Sequence, residues 1–483
     1  MLEILQNCEK GAFFVKRKSK LDSFFEVSFR KSTFRTEILA GLTTFITMAY
    51  ILVLNPQITS EPYAIMGDPV MAQKISTGAF IGTGIGAFIG TMLCAVYAKV
   101  PYVQAPGMGL NAFFAYTVVL AMGYSYNQAL VVVFLSGVFF IVITKFGLRE
   151  AIVDAIPNSV KLAITPGVGL FITILGLKNG GIVVGNTSTL VSLVQFSQWK
   201  DGGDSQAVIG ALLTLVGLII IGVLSAKKIK GAVIISIFAV TLLGIPLGAT
   251  QVSRFDLNLA GKFADFFEVS FFRLDFAGLF AGENFGQDLL NVLLLVISFS
   301  LVNMFDSIGT LLGAAKQSNL VDEDGNIVRM KEALMSDAIS TAAGALCGTS
   351  TVTTVVEGSA GIAAGGRTGM TSLTTAVMFL VAIVFAPVVG MIPSVATAPA
   401  LIYVGVLMLS NIKDVDFEDI TNAIPAFCAI VFMPFTYSIA NGVAIGLILH
   451  CVMKALTGKF KEIKPLTLIV ALIFVFRYAF VSM

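Results

Sequence analysis

Apolar residues are grouped along the chain into runs whose length approaches the roughly 20 residues that a helix needs to cross a bilayer. The apolar run nearest the C-terminus, at about 466–481, is short and contains Arg477. It could form either a tilted transmembrane span or an interfacial helix. The pattern predicts an all-α polytopic membrane protein with about 14 transmembrane helices, numbered here as spans 1 to 14, at about 37–54, 77–98, 106–122, 127–146, 156–177, 206–225, 231–249, 287–315, 335–347, 350–364, 371–391, 395–412, 420–438 and 440–456.

Spans 3 and 10 contain residues that interrupt a regular helix. The stretch VPYVQAPGMGLNAFF (100–114) holds two prolines and two glycines before about Leu110, and CGTSTVTTVVEGSAGIAAGGRTG (347–369) begins with β-branched residues. Irregular backbone at membrane depth is tolerated only where it lines a cavity or is buried in protein. We therefore expect 101–109 and 347–356 to be extended, to lie side by side and to lead into half-helices.

Two related sequences indicate an internal repeat. An Ile-Pro pair precedes both AITPGVGL (163–170) and ATAPALIY (396–403), which lie seven spans apart. An odd number of intervening spans reverses the direction of related elements, so two inverted repeats of seven helices are predicted. Pro166 and Pro399 are expected in the first turn of their helices, where the missing N–H costs nothing.

Composition agrees with a membrane protein. The 483 residues are 56% hydrophobic and only 12% charged, whereas soluble domains are about 25% charged. Net charge is +2, and the basic residues form short clusters between spans, so no nucleic-acid partner is expected. Four of the five cysteines lie in or beside apolar runs, which is typical of small buried side chains. No metal and no cofactor are expected.

Basic residues also predict the orientation, because short cytoplasmic loops are rich in lysine and arginine. The N-terminal arm is polar and basic for about 35 residues and lacks the apolar region of a signal peptide. If every span crosses, this arm and most other basic loops fall on one side, which is predicted to be the cytoplasm; the loop 250–285 then lies outside.

Two of the acidic residues within predicted spans are candidates for a site, Asp306 and Glu357. Asp306 is the only acid of SFSLVNMFDSIGTLLG (298–313), and Glu357 lies in span 10. A charged side chain at a helix centre costs about 2.5–3.5 kcal/mol by insertion scales, so both should face the bundle interior. A hydrogen bond between helices for Asp306, and a helix-end cap for Glu357, are the structural alternatives to a role in a transport site.

Several segments resemble those of the azaguanine/hypoxanthine-guanine type of purine permease, within the nucleobase-ascorbate transporter superfamily. The similarity runs from about residue 22 to residue 460, with the motifs in their usual order. The segments are GLTTFITMAYILVLNP (41–56), APGMGLNAF (105–113), FDSIGTLLG (305–313), GTSTVTTVVEGSAGIAAGGRTG (348–369) and ATAPALIYVGVLMLS (396–410).

This resemblance implies a core domain of spans 1–4 and 8–11 that carries the substrate against a gate domain of spans 5–7 and 12–14. The implied boundaries are a cytoplasmic arm (1–35), core (36–146), gate (147–250), an extracellular loop (251–285), core (286–391), gate (392–458) and a C-terminal segment (459–483).

The resemblance also implies the site. Acids on spans 8 and 10 would hold the base and take part in proton coupling, and they correspond to Asp306 and Glu357. Some relatives place a histidine one turn after the first acid, where this chain has Thr310, and the only histidine, His450, is expected to serve packing. The predicted substrate-binding residues are Asp306, Glu357, Gly109, Leu110, Asn111, Thr310, Val356 and Thr44.

The expected function is therefore proton-coupled uptake of a purine nucleobase across the plasma membrane, with hypoxanthine and guanine favoured over adenine. The sequence leaves open which acid carries the proton. A small-anion transporter of the same general fold is the alternative, although two acids at the site argue against it. No nucleophile, metal cluster or phosphate loop suggests an enzyme. The expected partners are the purine, protons and membrane lipid, and related folds often form homodimers through their gate domains.

Overall fold

The computed structural model describes residues 20–146, 157–186, 188–199, 205–250, 258–281, 285–318, 320, 328–386 and 391–480. Helices dominate this part of the chain, as the apolar pattern predicts, and the strands are short. Most of the predicted N-terminal arm and the segment 147–156, where the predicted gate domain begins, lie outside the described residues.

The helices of the first half pack as a bundle in which α2 and α3 form one long segment interrupted only at Ala49 and Tyr50. π-helical turns extend α4 over Cys94–Ala98 and α5 over Phe113–Ala121. The elements are α1 (Lys20–Phe25), α2 (Phe34–Met48), α3 (Ile51–Ile65), α4 (Pro69–Leu93), β1 (Gln104–Pro106), α5 (Met108–Ala112), α6 (Tyr126–Lys145), α7 (Asn158–Asn179), β2 (Val183–Asn186), β3 (Leu190–Leu193), α8 (Ser205–Ala226) and α9 (Ala232–Gly244).

The second half contains the longest helix, α12, and ends in a helix beyond the predicted gate domain. Short 3₁₀ turns lie at Val356–Gly358, Ile383–Phe385, Ser410–Asp414 and Phe460–Glu462. The elements are α10 (Leu259–Asp265), α11 (Phe276–Leu279), α12 (Phe285–Ser318), α13 (Met330–Leu346), β4 (Val352–Thr354), α14 (Ser359–Ala363), α15 (Gly369–Ala382), α16 (Ser394–Leu409), α17 (Ile420–Phe435), α18 (Ile439–Leu456) and α19 (Pro465–Phe480).

Side-chain caps explain several helix starts. Thr33 accepts a hydrogen bond from the N–H of Thr36 and opens α2, and Asp68 accepts one from Met71 before Pro69 begins α4. Ser125 forms a capping box at the start of α6. Each cap satisfies an N–H group that has no partner within its helix.

Seven helical segments of the described chain are long and apolar enough to cross a membrane, and further apolar helices of 10–17 residues accompany them. The multi-pass helical architecture is therefore confirmed, whereas the number of 14 spans remains a prediction. Within the bundle, α7 packs against α16 and α17, while α4 packs against α3, α13 and α15. We call α2–α6 with α12–α15 the core helices, and α7–α9 with α16–α18 the gate helices.

The two irregular stretches lie side by side as predicted, although each is extended over fewer residues than expected, because a helix already begins at Met108 and a 3₁₀ turn at Val356. Strand β1 pairs with β4 in antiparallel register, with Gln104 opposite Thr354 and Pro106 opposite Val352. All six strand residues are buried. Since α5 follows β1 and α14 follows β4, the strand pair lies between two short helices, which confirms the half-helix arrangement expected for spans 3 and 10.

The expectation for Pro166 and Pro399 was wrong, because both lie inside their helices rather than in the first turn. Pro157 and Pro393 instead precede the first residues of α7 and α16. A proline inside a helix deprives the carbonyl four residues earlier of its donor. For Pro399 that carbonyl belongs to Val395, and it lies 3.3 Å from the Thr214 hydroxyl, whose single proton has shorter alternatives at the Gly210 and Gly180 carbonyls.

The C-terminal helix α19 packs along α18. The Tyr478 hydroxyl, near the end of α19, donates to Asn441 Oδ1, near the start of α18, at 2.9 Å. Only a short connection joins the other ends of the two helices. Helix α19 therefore runs antiparallel to α18 along its length, which favours the spanning interpretation of the 466–481 run over the interfacial one.

Candidate functional site

Glu357 lies where the paired strands end and a short helix begins, in the turn between β4 and α14. The Tyr50 hydroxyl donates a hydrogen bond to Glu357 Oε1. Tyr50 is 1% exposed and occupies the junction between α2 and α3. A buried residue of the first long helical segment thus fixes one carboxylate oxygen at the start of the second half-helix.

Asp306 lies near the middle of α12, and its side chain lies outside the described part of the structure. Val302 and Thr310 are four residues before and after it, so the helical backbone places all three positions on one face. Val302 is buried and Thr310 is half-buried. The helix face that carries Asp306 is therefore turned toward protein at both neighbouring positions.

A small pocket separates core and gate helices close to this face. Gly109, Leu110 and Val302 line it from the core side. The residues that line it from the gate side are Ile164, Thr165, Val168 and Met408. Its walls are largely apolar, which suits the faces of a flat aromatic ligand, while polar groups for the ligand's edge would come from α12 and the Glu357 turn.

Gly109 lies close to the gate side of the pocket. A Cβ atom added at Gly109 would lie 2.4 Å from Val168 Cγ1 on α7. Carbon atoms normally stay about 3.5–4.0 Å apart, so no larger residue fits without movement. Gly109, a predicted substrate-binding residue, therefore lies where a core helix and a gate helix are in close contact.

Two other predicted site residues, Asn111 and Thr44, have partners within the core helices, and a third, Val356, is exposed. The Ser350 hydroxyl donates to Asn111 Oδ1, which ties α5 to the stretch before β4. The Thr44 hydroxyl donates to the Ala40 carbonyl at 3.1 Å and also contacts α14, where a Cβ atom added at Gly361 would meet it. Val356 is 50% exposed beside Glu357. Thr44 thus lies in the α2–α14 packing contact, away from the pocket lining.

Asp337 on α13 is an acid that the sequence interpretation overlooked. It is 0% exposed, and it accepts hydrogen bonds from the Thr354 N–H at 2.8 Å and the Ser307 hydroxyl at 2.6 Å. The Thr353 hydroxyl donates to it at 2.9 Å. Asp337 therefore joins α12, α13 and β4, the strand that leads into the Glu357 turn. Its signal in the sequence was an acid among the small residues of MSDAISTAAG (335–344).

Solved structures with the same fold are membrane transporters. The transmembrane domain of the cyanobacterial bicarbonate transporter BicA matches with a TM-score of 0.58 and 18% identity, over 84% of this chain and 96% of that one. The murine anion transporter Slc26a9 in its inward-facing state matches with a TM-score of 0.57 and 12% identity, over 95% and 75%. At these identities the similarity establishes the fold alone.

Sequence relatives narrow the family. The chain is 39% identical to the adenine permease AdeP of Escherichia coli (strain K12), over 96% of both chains. It is 38% identical to the guanine/hypoxanthine permease PbuO of Bacillus subtilis (strain 168), over 93% and 98%. It is 31% identical to the nucleobase transporter PlAzg2 of Paenibacillus larvae, over 86% and 77%. A model described as a permease family matches residues 35–445. The chain therefore belongs to this permease family of nucleobase:cation symporters and is a transporter, not an enzyme.

Proposed function

We propose that this protein takes up purine nucleobases together with protons, by alternating access between its core and gate helices. The observation that carries the proposal is Glu357, a carboxylate held by Tyr50 at the end of the paired strands. The apolar pocket between core and gate lies on the α5–α12 side of the core helices. The combination offers a titratable group and two apolar walls for a planar base.

Relatives support the purine class. Adenine, guanine and hypoxanthine are named as substrates of AdeP and PbuO, and they share one ring system while differing in exocyclic groups. The ring N–H groups of a purine are donors that a carboxylate accepts well, and its faces need apolar contact. We retain hypoxanthine and guanine as the favoured bases, because their lactam N–H donates directly to a carboxylate, and adenine as the third candidate.

Proton coupling is supported by the position of Glu357 in the bundle, where the Tyr50 hydroxyl donates a hydrogen bond to it. An ionised carboxylate inside a membrane protein is unfavourable unless it is paired or hydrogen-bonded. When Glu357 is ionised, the Tyr50 hydroxyl donates to it; when Glu357 is protonated, it needs no charge compensation and the loaded core can move past apolar gate residues. Asp306 on α12 is the second candidate for this role, and the two acids share the coupling in our proposal.

The packing of the helices supports the division into core and gate. Helix α7 packs on α16 and α17 within the gate, and α4 packs on α13 and α15 within the core. The pocket lies where the two groups face each other, and Gly109 and Val168 meet there. Movement of one group against the other would therefore open the pocket on one side or the other.

We place the protein in the plasma membrane with a cytoplasmic N-terminus, since the basic loops then lie inside. Lipid surrounds the exposed apolar faces, and a homodimer through the gate helices is part of the proposal.

Anion transport is the competing function, since both fold neighbours are described as bicarbonate or anion transporters. Two observations disfavour anion transport. The core helices carry acidic residues, and the chain belongs to a permease family of nucleobase:cation symporters. Uptake of labelled hypoxanthine, guanine, adenine and sulfate into vesicles that contain the protein distinguishes the two. We expect saturable uptake of at least one purine and none of sulfate; the reverse would overturn the proposal.

A further inference from the structure

Glu61 forms a polar cluster that joins the core helices to the gate helices away from the pocket. It lies near the end of α3, and its Oε2 atom accepts a hydrogen bond from the Tyr116 hydroxyl of the core. The same oxygen accepts a second hydrogen bond from Asn179 Nδ2, at 3.0 Å. Asn179 is the last residue of gate helix α7, so a single carboxylate oxygen bridges the two groups of helices.

Tyr437 extends this cluster on the gate side. It lies in the connection between α17 and α18, with its ring centroid 6.4 Å from that of Tyr116. The Thr117 hydroxyl of the core donates to the Tyr437 carbonyl at 2.9 Å. The Lys178 ammonium lies 5.6 Å from the centre of the Tyr437 ring. The bridge therefore includes contacts between core and gate besides the one at Glu61.

A second link lies one turn earlier on the same face of α3. Gln57 Nε2 donates to the Ile392 carbonyl at 2.7 Å, and the Thr397 hydroxyl donates to Gln57 Oε1 at 2.6 Å. Residues four apart share a helix face, so Gln57 and Glu61 mark the side of α3 that faces the gate. The contacts of Gln57 and Glu61 therefore lie along one interface between the core and gate helices.

The cluster lies beyond the pocket, toward the ends of three helical segments. Tyr116 follows Gly109 by seven residues, and Asn179 follows Val168 by eleven. At a rise of 1.5 Å per residue these separations are roughly 10 and 16 Å. Because both residues meet at Glu61, both helical segments lead from the pocket to the same end of the bundle, opposite the start of α2. We call this end the far end; it is the outer end in the proposed orientation.

We propose that Glu61 acts as a latch at the far end of the bundle. Its carboxylate, shared by Tyr116 and Asn179, holds the core and gate helices together there. It must release Asn179 before the pocket can open to that side. The inference rests on the proposed alternating access and adds a residue that controls it. Hydrogen bonds to charged groups are the stronger kind, so one shared oxygen can bias the closed state about tenfold or more.

Exchanging the carboxylate of Glu61 and the amide of Asn179 tests this latch. Asn179→Asp places a carboxylate opposite that of Glu61 and should open the far side by repulsion. Glu61→Gln combined with Asn179→Asp restores an amide–carboxylate pair with the roles reversed and should close it again. Asn158→Asp, at the exposed opposite end of α7, is the matched control because it makes the same change outside the cluster.

The measurement is the rate at which a membrane-impermeant thiol reagent, added at the far side without substrate, labels a reporter cysteine. Thr165→Cys in the pocket lining supplies the reporter, and the same variants without it give the background of the native cysteines. We expect about tenfold faster labelling in Asn179→Asp, a return toward the parent rate in the double variant, and no change in the control.

Unchanged labelling in Asn179→Asp would overturn the latch, as would a double variant that labels as fast as the single one. Melting temperatures of all variants identify any loss of folding, and a misfolded single variant is judged by whether the double variant regains the parent melting temperature. Purine uptake by the protein without substitutions is measured in parallel. Its absence would refute the proposed function, whereas normal uptake with unchanged labelling would refute only the latch.

Discussion

Gly109→Ala tests the contact between core and gate at the pocket. The added Cβ atom would lie 2.4 Å from Val168 Cγ1, which is about 1 Å closer than carbon atoms normally approach. Val168 is 4% exposed and β-branched, and such side chains have one strongly preferred rotamer in a helix. Relief therefore requires that α5 and α7 separate.

Overpacking of this kind costs about 1–3 kcal/mol. Because the clash exists only where core and gate meet, it lowers the population of this conformation about 5- to 150-fold relative to one in which the two have moved apart. We expect purine uptake to fall by a comparable factor while membrane insertion stays normal. Val168→Ala in the same chain removes the clashing methyl groups and should restore most of the uptake.

Gly222→Ala is the matched control, since a Cβ atom there would meet no atom from beyond its own turns of helix within 4 Å. Uptake and thermal melts, each with and without hypoxanthine, are measured for both single variants and for the double variant. If Gly109→Ala behaves like Gly222→Ala, or if Val168→Ala does not improve it, the contact does not control transport. If Gly109→Ala retains the empty protein's melting temperature but loses all stabilisation by hypoxanthine, and Val168→Ala does not restore it, Gly109 contacts the base instead.

Glu357→Gln and Asp306→Asn should each insert normally yet abolish accumulation of purine against its gradient, because they keep the side-chain shape and remove the titratable proton; concentrative uptake by both variants would exclude these acids as proton carriers. Asp337→Ala should lower the melting temperature more than Asp337→Asn, because alanine leaves buried donors without an acceptor and each such donor costs about 1–3 kcal/mol of stability. Equal melting temperatures would show that the hydrogen bonds of Asp337 do not stabilise the contact between α12, α13 and β4. A peptide tag placed after residue 483 should bind antibody on intact cells, because Tyr478 at the end of α19 contacts Asn441 at the outer start of α18; detection only after permeabilisation would show that α19 does not cross.

Features with a local physical cause could be predicted from the sequence. The prolines and β-branched residues around Ala105 and Thr353 exclude a regular helix, and the structure pairs these two positions between strands. Glu357 was predictable as an interior residue because an acid within an apolar run has few favourable places in a membrane protein.

Features that depend on which helices become neighbours could not be predicted. Tyr50 lies in an ordinary apolar run, and nothing local indicates that its hydroxyl meets a carboxylate about 300 residues later in the chain. Pro399 resembled a helix-start residue because Pro393 and Pro399 lie close together in the sequence, and only the structure shows that the helix begins after Pro393. The contact between Gly109 and Val168 likewise could not be predicted, because it depends on how α5 packs against α7.

Proton movement driven by a purine tests the central proposal most directly. Purified protein is reconstituted in vesicles that hold a pH-sensitive dye, with equal pH on both sides and no sodium, and hypoxanthine, guanine or adenine is added outside. We expect the interior to acidify upon addition of a transported purine, to do so in proportion to the purine taken up, and not to respond to sulfate. Purine accumulation without acidification, or uptake that requires sodium, would contradict proton symport.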